Sequence, residues 1–210
     1  MHNCPAFATD RYGLPFLRHK PTSAKLGVEG SRMLRNDFEF VVGLKREFFA
    51  QRKIQMLLAT MEKNGTTAWE TWWQVEFARF LYGHQDKHDW ARDHHIEIDH
   101  APVSEKDKLI ADFMIKPRYH GMDRSILLEL KQSDSVKTCI TNMAKDIRKM
   151  DKTKSGGIDQ RSFWVVGVHP RENKQVVRRA VKRVATSYGI KIFDVHTRYI
   201  LNTGLAYTVF

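Results

Sequence analysis

Cysteine is the scarcest chemistry in this 210-residue chain: Cys4 and Cys139 are too few for a disulfide framework or a structural zinc site. No apolar run approaches the roughly 20 residues that cross a bilayer. The opening, MHNCPAFATDRYG, holds no apolar signal core. A soluble, cytoplasmic protein with no membrane partner is the expectation. Internal repeats, low-complexity tracts and ATPase motifs are also missing. Acid is in deficit, with 24 Asp and Glu against 35 Lys and Arg, a net charge of +11. That balance favours a polyanionic partner, with nucleic acid ahead of a membrane surface. Hydrophobic residues at 42% and aromatics at 11% support one globular domain with an elaboration rather than disorder.

The most informative stretch runs from Leu109 to Gln132, LIADFMIKPRYHGMDRSILLELKQ. Leu109 to Ile115 and Ile126 to Leu130 are predicted strands, and Pro117 and Gly121 between them predict a hairpin. Asp112 interrupts the first strand; Glu129 and Lys131 end the second. A carboxylate on a buried strand costs several kcal/mol unless something compensates it. Two converging beside a lysine point to a divalent metal ion.

Residues 1–35 lack periodicity and read as an arm or irregular lead-in, either a solvated tail or a basic contact with nucleic acid. Apolar residues between Asp37 and Lys63 fit one helix with imperfect spacing, stopped at Asn64-Gly65. A second helix is expected to open at Thr66-Thr67, with Thr67 and Glu70 at capping-box spacing. Its apolar stripe is Trp69, Trp72, Trp73, Phe77, Phe80 and Leu81, and Glu76 falls on it, whereas Glu70, Gln74 and Arg79 fall on other faces. Glu76 then needs a partner: either a buried arginine such as Arg92 or the metal site.

The segment HQDKHDWARDHHIEIDH invites a histidine-metal nuclease reading. The ββα-metal (HNH) pattern fails, because the next asparagine, Asn142, is far too distant. Alternation over residues 95–99 predicts a half-buried strand, with most of these histidines at the surface. Beyond the hairpin come a helix from Val136 to Asp151, a buried strand RSFWVVGVHP, and a helix from about Glu172 to Tyr188 burying Val176, Val177, Ala180, Val181, Val184 and Ala185. Gly189 caps that helix, and closing strands are expected around residues 190–195 and 199–210. Twelve Lys or Arg and four acids between Lys145 and Arg183 put +8 of the chain's +11 there. Candidate phosphate contacts are Lys145, Arg148, Lys149, Lys152, Lys154, Arg178, Arg179, Lys182 and Arg183. No base-reading motif is visible.

With Glu76 in WWQVEFARFL, Asp112 in LIADFMI and Glu129-Leu130-Lys131-Gln132 in ILLELKQ, the chain resembles the PD-(D/E)xK nuclease superfamily over roughly residues 66–170. Ala111 stands where the motif has proline, and Asp123 in the turn is the alternative to Asp112. The resemblance implies an α/β fold with a restriction-endonuclease-like αβββαβ core, its mixed sheet flanked by helices and preceded by an N-terminal helical extension, in a single domain over residues 36–210. It implies metal-dependent cleavage of phosphodiester bonds in duplex DNA, with RNA second, and a second copy of the chain or a targeting protein as a further partner. Asp112 and Glu129 would bind Mg²⁺ or Mn²⁺, joined by the Leu130 carbonyl and by Glu76. Lys131 would orient or help deprotonate the attacking water and steady the phosphate charge. A nucleic-acid-binding module without cleavage and a ribonuclease or effector nuclease are the competing readings.

Overall fold

The structure, a computed structural model, describes residues 23–84, 87–96, 109–117, 125–153 and 160–210. By its contacts the chain divides into Met1–Met33 and Leu34–Phe210. The described part of the first unit is the beginning of a helix; the second holds everything else. The elements in chain order are α1 (Ser23–Ala50), α2 (Arg52–Lys63), α3 (Glu70–Tyr82), β1 (His88–Ile96), β2 (Leu109–Pro117), β3 (Ser125–Gln132), α4 (Val136–Thr153), β4 (Gln160–Pro170), α5 (Lys174–Tyr188), β5 (His196–Tyr199) and β6 (Leu205–Val209). No described helix is long and apolar enough to cross a membrane.

The six strands form one mixed sheet in the order β1-β2-β3-β4-β6-β5. β1, β2 and β3 are an antiparallel meander, and β4 joins β3 in parallel. A parallel neighbour needs a crossover, and α4 supplies it. β6 pairs antiparallel with β4, and β5 with β6. Helices cover both faces, so the fold is α/β. On one face Val41, Phe48, Leu58, Trp73 and Phe77 from the first three helices pack on Phe113, Ile115, Leu128, Leu130, Val166 and Val168. On the other, Cys139, Ile140 and Met143 of α4 and Val177 and Val181 of α5 pack on Val165. Two covered faces explain why β4 is a continuous apolar run. Gly167 pairs with Lys131, and a Cβ there would lie 2.6 Å from Cys139 Sγ. Glycine at that position lets α4 settle close against the end of β3.

Several expectations need correction. The lead-in is helical from Ser23, and residues 1–22 lie outside the described residues. The helix expected over Asp37 to Lys63 is two helices, broken at Gln51, whose ψ of 123° is extended. That break is the cause of the imperfect spacing, since it changes the phase of the apolar face between Phe49 and Ile54. α3 opens at Glu70 behind Trp69, with no side-chain cap, so Thr67 and Glu70 make no capping box. The first strand runs over His88–Ile96 rather than residues 95–99, and residues 97–108 lie outside the described set. Val176 is exposed, because the i, i+4 series Val177, Val181, Ala185 is the inward face of α5. No strand forms over residues 190–195; the closing hairpin is β5 and β6, turning through Asn202 at φ 61°. Gly189 does end α5, in the left-handed conformation at φ 66°.

Candidate active site

The β2/β3 ladder stops at the pair Phe113↔Leu128. Beyond it carboxylates replace the backbone partners that the ladder no longer supplies. The Leu130 N–H donates to Asp112 Oδ2 at 2.7 Å, and the Asp112 N–H approaches Glu129 Oε2 at 3.4 Å. Two residues on, the Gln132 N–H donates to Glu70 Oε2 at 2.8 Å. Buried N–H groups require acceptors, so these acids hold the open end of the strands in shape. Glu70 comes from the first turn of α3, and Gln74, one turn later, shares its face. Gln74 Nε2 donates to Asp112 Oδ1 at 2.8 Å, and its Oε1 accepts from Arg92 at 3.3 Å. Lys131 Nζ donates to Glu129 Oε1 at 2.7 Å, with Asp146 Oδ2 of α4 at 3.4 Å and Glu70 Oε1 at 3.7 Å.

Three carboxylates therefore face one ammonium group, and a fourth, Asp112, lies beside Glu129. Burial, reinforced by the charge of Asp112, pushes the Glu129 carboxyl up to about 7. Burial also raises Asp112 and Asp146, although the Leu130 N–H works against it at Asp112 and Lys131 works against it at Asp146. For Lys131, burial pulls downward, but Glu129, Asp146 and Glu70 outweigh it and hold the amine above its ordinary value. Its three carboxylate neighbours thus favour the ammonium form of Lys131. Behind Asp112 lies Lys45 of α1, fully buried, with Nζ 3.0 Å from the Phe77 ring centroid. Its Nζ has no hydrogen-bond partner among the described residues. Burial drives its pKa well below the usual amine value, with the charge of Asp112 acting the other way.

Of the expected set, Asp112, Glu129 and Lys131 come together and Glu76 does not. Glu76 Oε2 sits 3.5 Å from Lys53 Nζ of α2. At 3.6 residues per turn, Glu76 points roughly 120–160° away from Glu70 and Gln74 around the helix axis. The apolar stripe placed it at the core; it lies at the edge, and its partner is Lys53 rather than Arg92. Leu130 enters the site through its N–H. Sequence reasoning missed Glu70, Gln74, Asp146 and Lys45. Glu70 was assigned to a helix cap. Lys45, four residues after Val41 and three before Phe48, carried the same on-stripe signal that singled out Glu76.

Lys145, Arg148 and Lys149 on α4 and Arg178, Arg179, Lys182 and Arg183 on α5 are exposed, with Arg178 3.1 Å from Asp194. The Lys152 side chain, Lys154, Asp123 and His100 lie outside the described residues. Contrary to expectation for that segment, His88 is buried, with its ring against Phe40. Among the described residues, no group of three or more His, Cys, Asp or Glu side chains is arranged to hold a metal ion. Comparison of the chain with protein-family models, with curated proteins and with solved structures finds no match.

Proposed function

We propose that the chain is a metal-dependent nuclease of the PD-(D/E)xK kind that hydrolyses phosphodiester bonds in DNA on a restriction-endonuclease-like αβββαβ core. The observation that carries this reading is the contact between Asp112 and Glu129 at the open end of β2 and β3, with Lys131 hydrogen-bonded to Glu129. The order α3-β1-β2-β3-α4-β4, antiparallel up to β3 and parallel from β3 to β4, supports it.

The donor set fits Mg²⁺ or Mn²⁺. Each oxygen of Asp112 and Glu129 has one N–H neighbour and keeps acceptor capacity, since a carboxylate offers about four lone-pair sites. Hard carboxylate oxygens suit these ions, and Mg²⁺ usually takes one or two protein carboxylates together with waters and substrate phosphate. Asp112 and Glu129 would hold the ion, and no third protein carboxylate is required. When bound, the ion supplies Lewis-acid activation of the attacking water and neutralises charge at the departing 3′ oxygen. Gln74 and the Leu130 N–H fix the Asp112 carboxylate. Lys131, permanently charged, would bind a phosphate oxygen. The exposed basic residues of α4 and α5 would meet the flanking phosphates.

The test is plasmid cleavage by the full chain with Mg²⁺, with Mn²⁺ and with EDTA, beside Glu129→Gln and Lys131→Ala. Cleavage should require the metal and fall by at least roughly 10³-fold in Glu129→Gln. Cleavage that persists in EDTA, or in Glu129→Gln at the wild-type rate, would sink the reading. DNA binding without cleavage would favour a binding module, and cleavage of RNA alone a ribonuclease.

A further inference from the structure

Lys131 is the group whose surroundings exceed its needs. Its ammonium has three hydrogens, and three carboxylates from three elements face it: Glu129 on its own strand, Asp146 on α4 and Glu70 on α3. The contacts are unequal. Glu129 accepts a direct hydrogen bond at 2.7 Å, whereas Asp146 at 3.4 Å is near enough for charge but makes no aligned hydrogen bond. Among the described residues Asp146 has no other ion pair, and Gly167 of β4, paired with Lys131, lets α4 pack closely beside the end of β3. A lysine seated on Glu129 competes with any cation that needs the same oxygen. An amine that yields that oxygen yet stays in the site needs another anion within a small movement.

We propose that Asp146, assisted by Glu70, is a positioning residue that offers the Lys131 ammonium a second seat, so that a divalent ion can take the Glu129 oxygens while the lysine remains beside the scissile phosphate. The inference rests on the nuclease reading and deepens it. Without Asp146, Lys131 stays on Glu129 and resists the ion. Asp146 acts through Lys131 and has no direct part in holding metal.

The experiment is calorimetric titration of the metal-free full chain with Mn²⁺, for wild type, Asp146→Asn, Lys131→Met and the double variant, alongside kcat and KM on DNA. Asp146→Asn is nearly isosteric at a half-buried position, so folding should survive it. Mn²⁺ affinity should fall roughly tenfold in Asp146→Asn, as for residues that orient metal ligands. In the Lys131→Met background the same substitution should change nothing. Asp146→Asn should also lower kcat with KM for DNA unchanged, and Asp146→Glu should restore it. Equal weakening of Mn²⁺ binding in both backgrounds would overturn the proposal, because Asp146 would then be acting on the ion directly. No weakening in either would overturn it too. A wild type that takes up no Mn²⁺ would remove the nuclease reading and this inference together. A wild type that binds Mn²⁺ and cleaves, with Asp146→Asn indistinguishable from it, would remove this inference alone.

Discussion

Asp37 and Arg161 meet in one interior charge cluster, and Asp112, Glu129, Lys131, Asp146 and Glu70 meet in another, but only the first is balanced. In the first, Arg161 grips Asp37 through Nε at 2.9 Å and a second guanidinium nitrogen at 2.8 Å. The Ser162 hydroxyl donates to the same carboxylate at 2.8 Å, and Trp164 Nε1 donates to Ser162 at 2.9 Å. The Asp37 and Arg161 side chains are only 3% and 2% exposed, and their two-point contact ties α1 to β4. The second cluster gathers four acids around one lysine, three of them in direct reach of it, and the side chains of Glu129, Lys131, Asp146 and Glu70 are 13%, 20%, 26% and 32% exposed. Packing requires nothing like that surplus of negative charge, and water still reaches it. The balanced cluster maintains the fold. The unbalanced one carries more acid than base, an excess that the proposed divalent ion would offset.

The comparison predicts opposite responses to losing an acid, and the largest stability effect belongs to the balanced cluster. Asp37→Ala should cost about 3–5 kcal/mol, because it removes the acid that the buried Arg161 guanidinium grips. Glu129→Gln should cost nothing at pH 8, since it relieves repulsion. Urea unfolding of both variants beside wild type measures the difference. If Asp37→Ala loses less than about 1 kcal/mol, the bidentate pair is not the anchor that its geometry describes.

Much of this site was legible because β-strand alternation is strict. An acid at Asp112 or Glu129 breaks an otherwise apolar strand, and a hairpin brings the two breaks together. The acids supplied by helices were harder to read. Glu76 lies between Trp73 and Phe80 on a helical wheel, yet α2 crosses there and brings Lys53 to the stripe's edge. Glu70 fitted a capping-box pattern with Thr67, but Ala68 at φ 55° turns the chain, and α3 begins only at Glu70. Asp146 sits among lysines and an arginine that the sequence assigns to solvent. Its placement depends on how closely α4 packs on the sheet, an approach that the bare backbone of Gly167 on β4 permits against Cys139 and Met143. Tertiary packing chose among helix faces that periodicity left nearly equivalent.

A second effect, of about 2–3 kcal/mol, concerns pH and belongs to the unbalanced cluster alone. Glu129 rises from 4.5 to about 7 on folding, so the folded chain holds that proton more tightly than the unfolded chain does. Stability should therefore fall as pH rises from about 4.5 to about 7 and level off above, by an amount that follows from the size of the shift and is reduced by partial solvent access. The difference between wild type and Glu129→Gln, followed by urea unfolding from pH 5 to 8, isolates this contribution. Saturating Mg²⁺ at pH 8 should recover it, because the ion stabilises the ionised carboxylate. A wild-type profile parallel to that of Glu129→Gln would mean that Glu129 is better solvated than its burial indicates.

The smallest effect tests the buried amine behind Asp112. Lys45 is buried behind Asp112 against Phe77 and Trp73, and its Nζ finds no hydrogen-bond acceptor among the described residues. An unsatisfied buried donor costs about 1–3 kcal/mol, and contact with an aromatic face returns at most about 2. Lys45→Met keeps the length and apolar stem while removing the amine, so it should stabilise the chain by about 1 kcal/mol at pH 7. The gain should shrink as pH rises through the lowered amine pKa toward 10.5, because the folded chain then no longer strips a proton that the unfolded chain retains. Thermal unfolding at pH 7 and pH 9 measures both the sign and the trend. A loss of stability instead, at both pH values, would place Lys45 inside the unbalanced cluster as the counter-charge of Asp112. The surplus of acid would then be four against two, and its attraction for the proposed divalent ion correspondingly weaker.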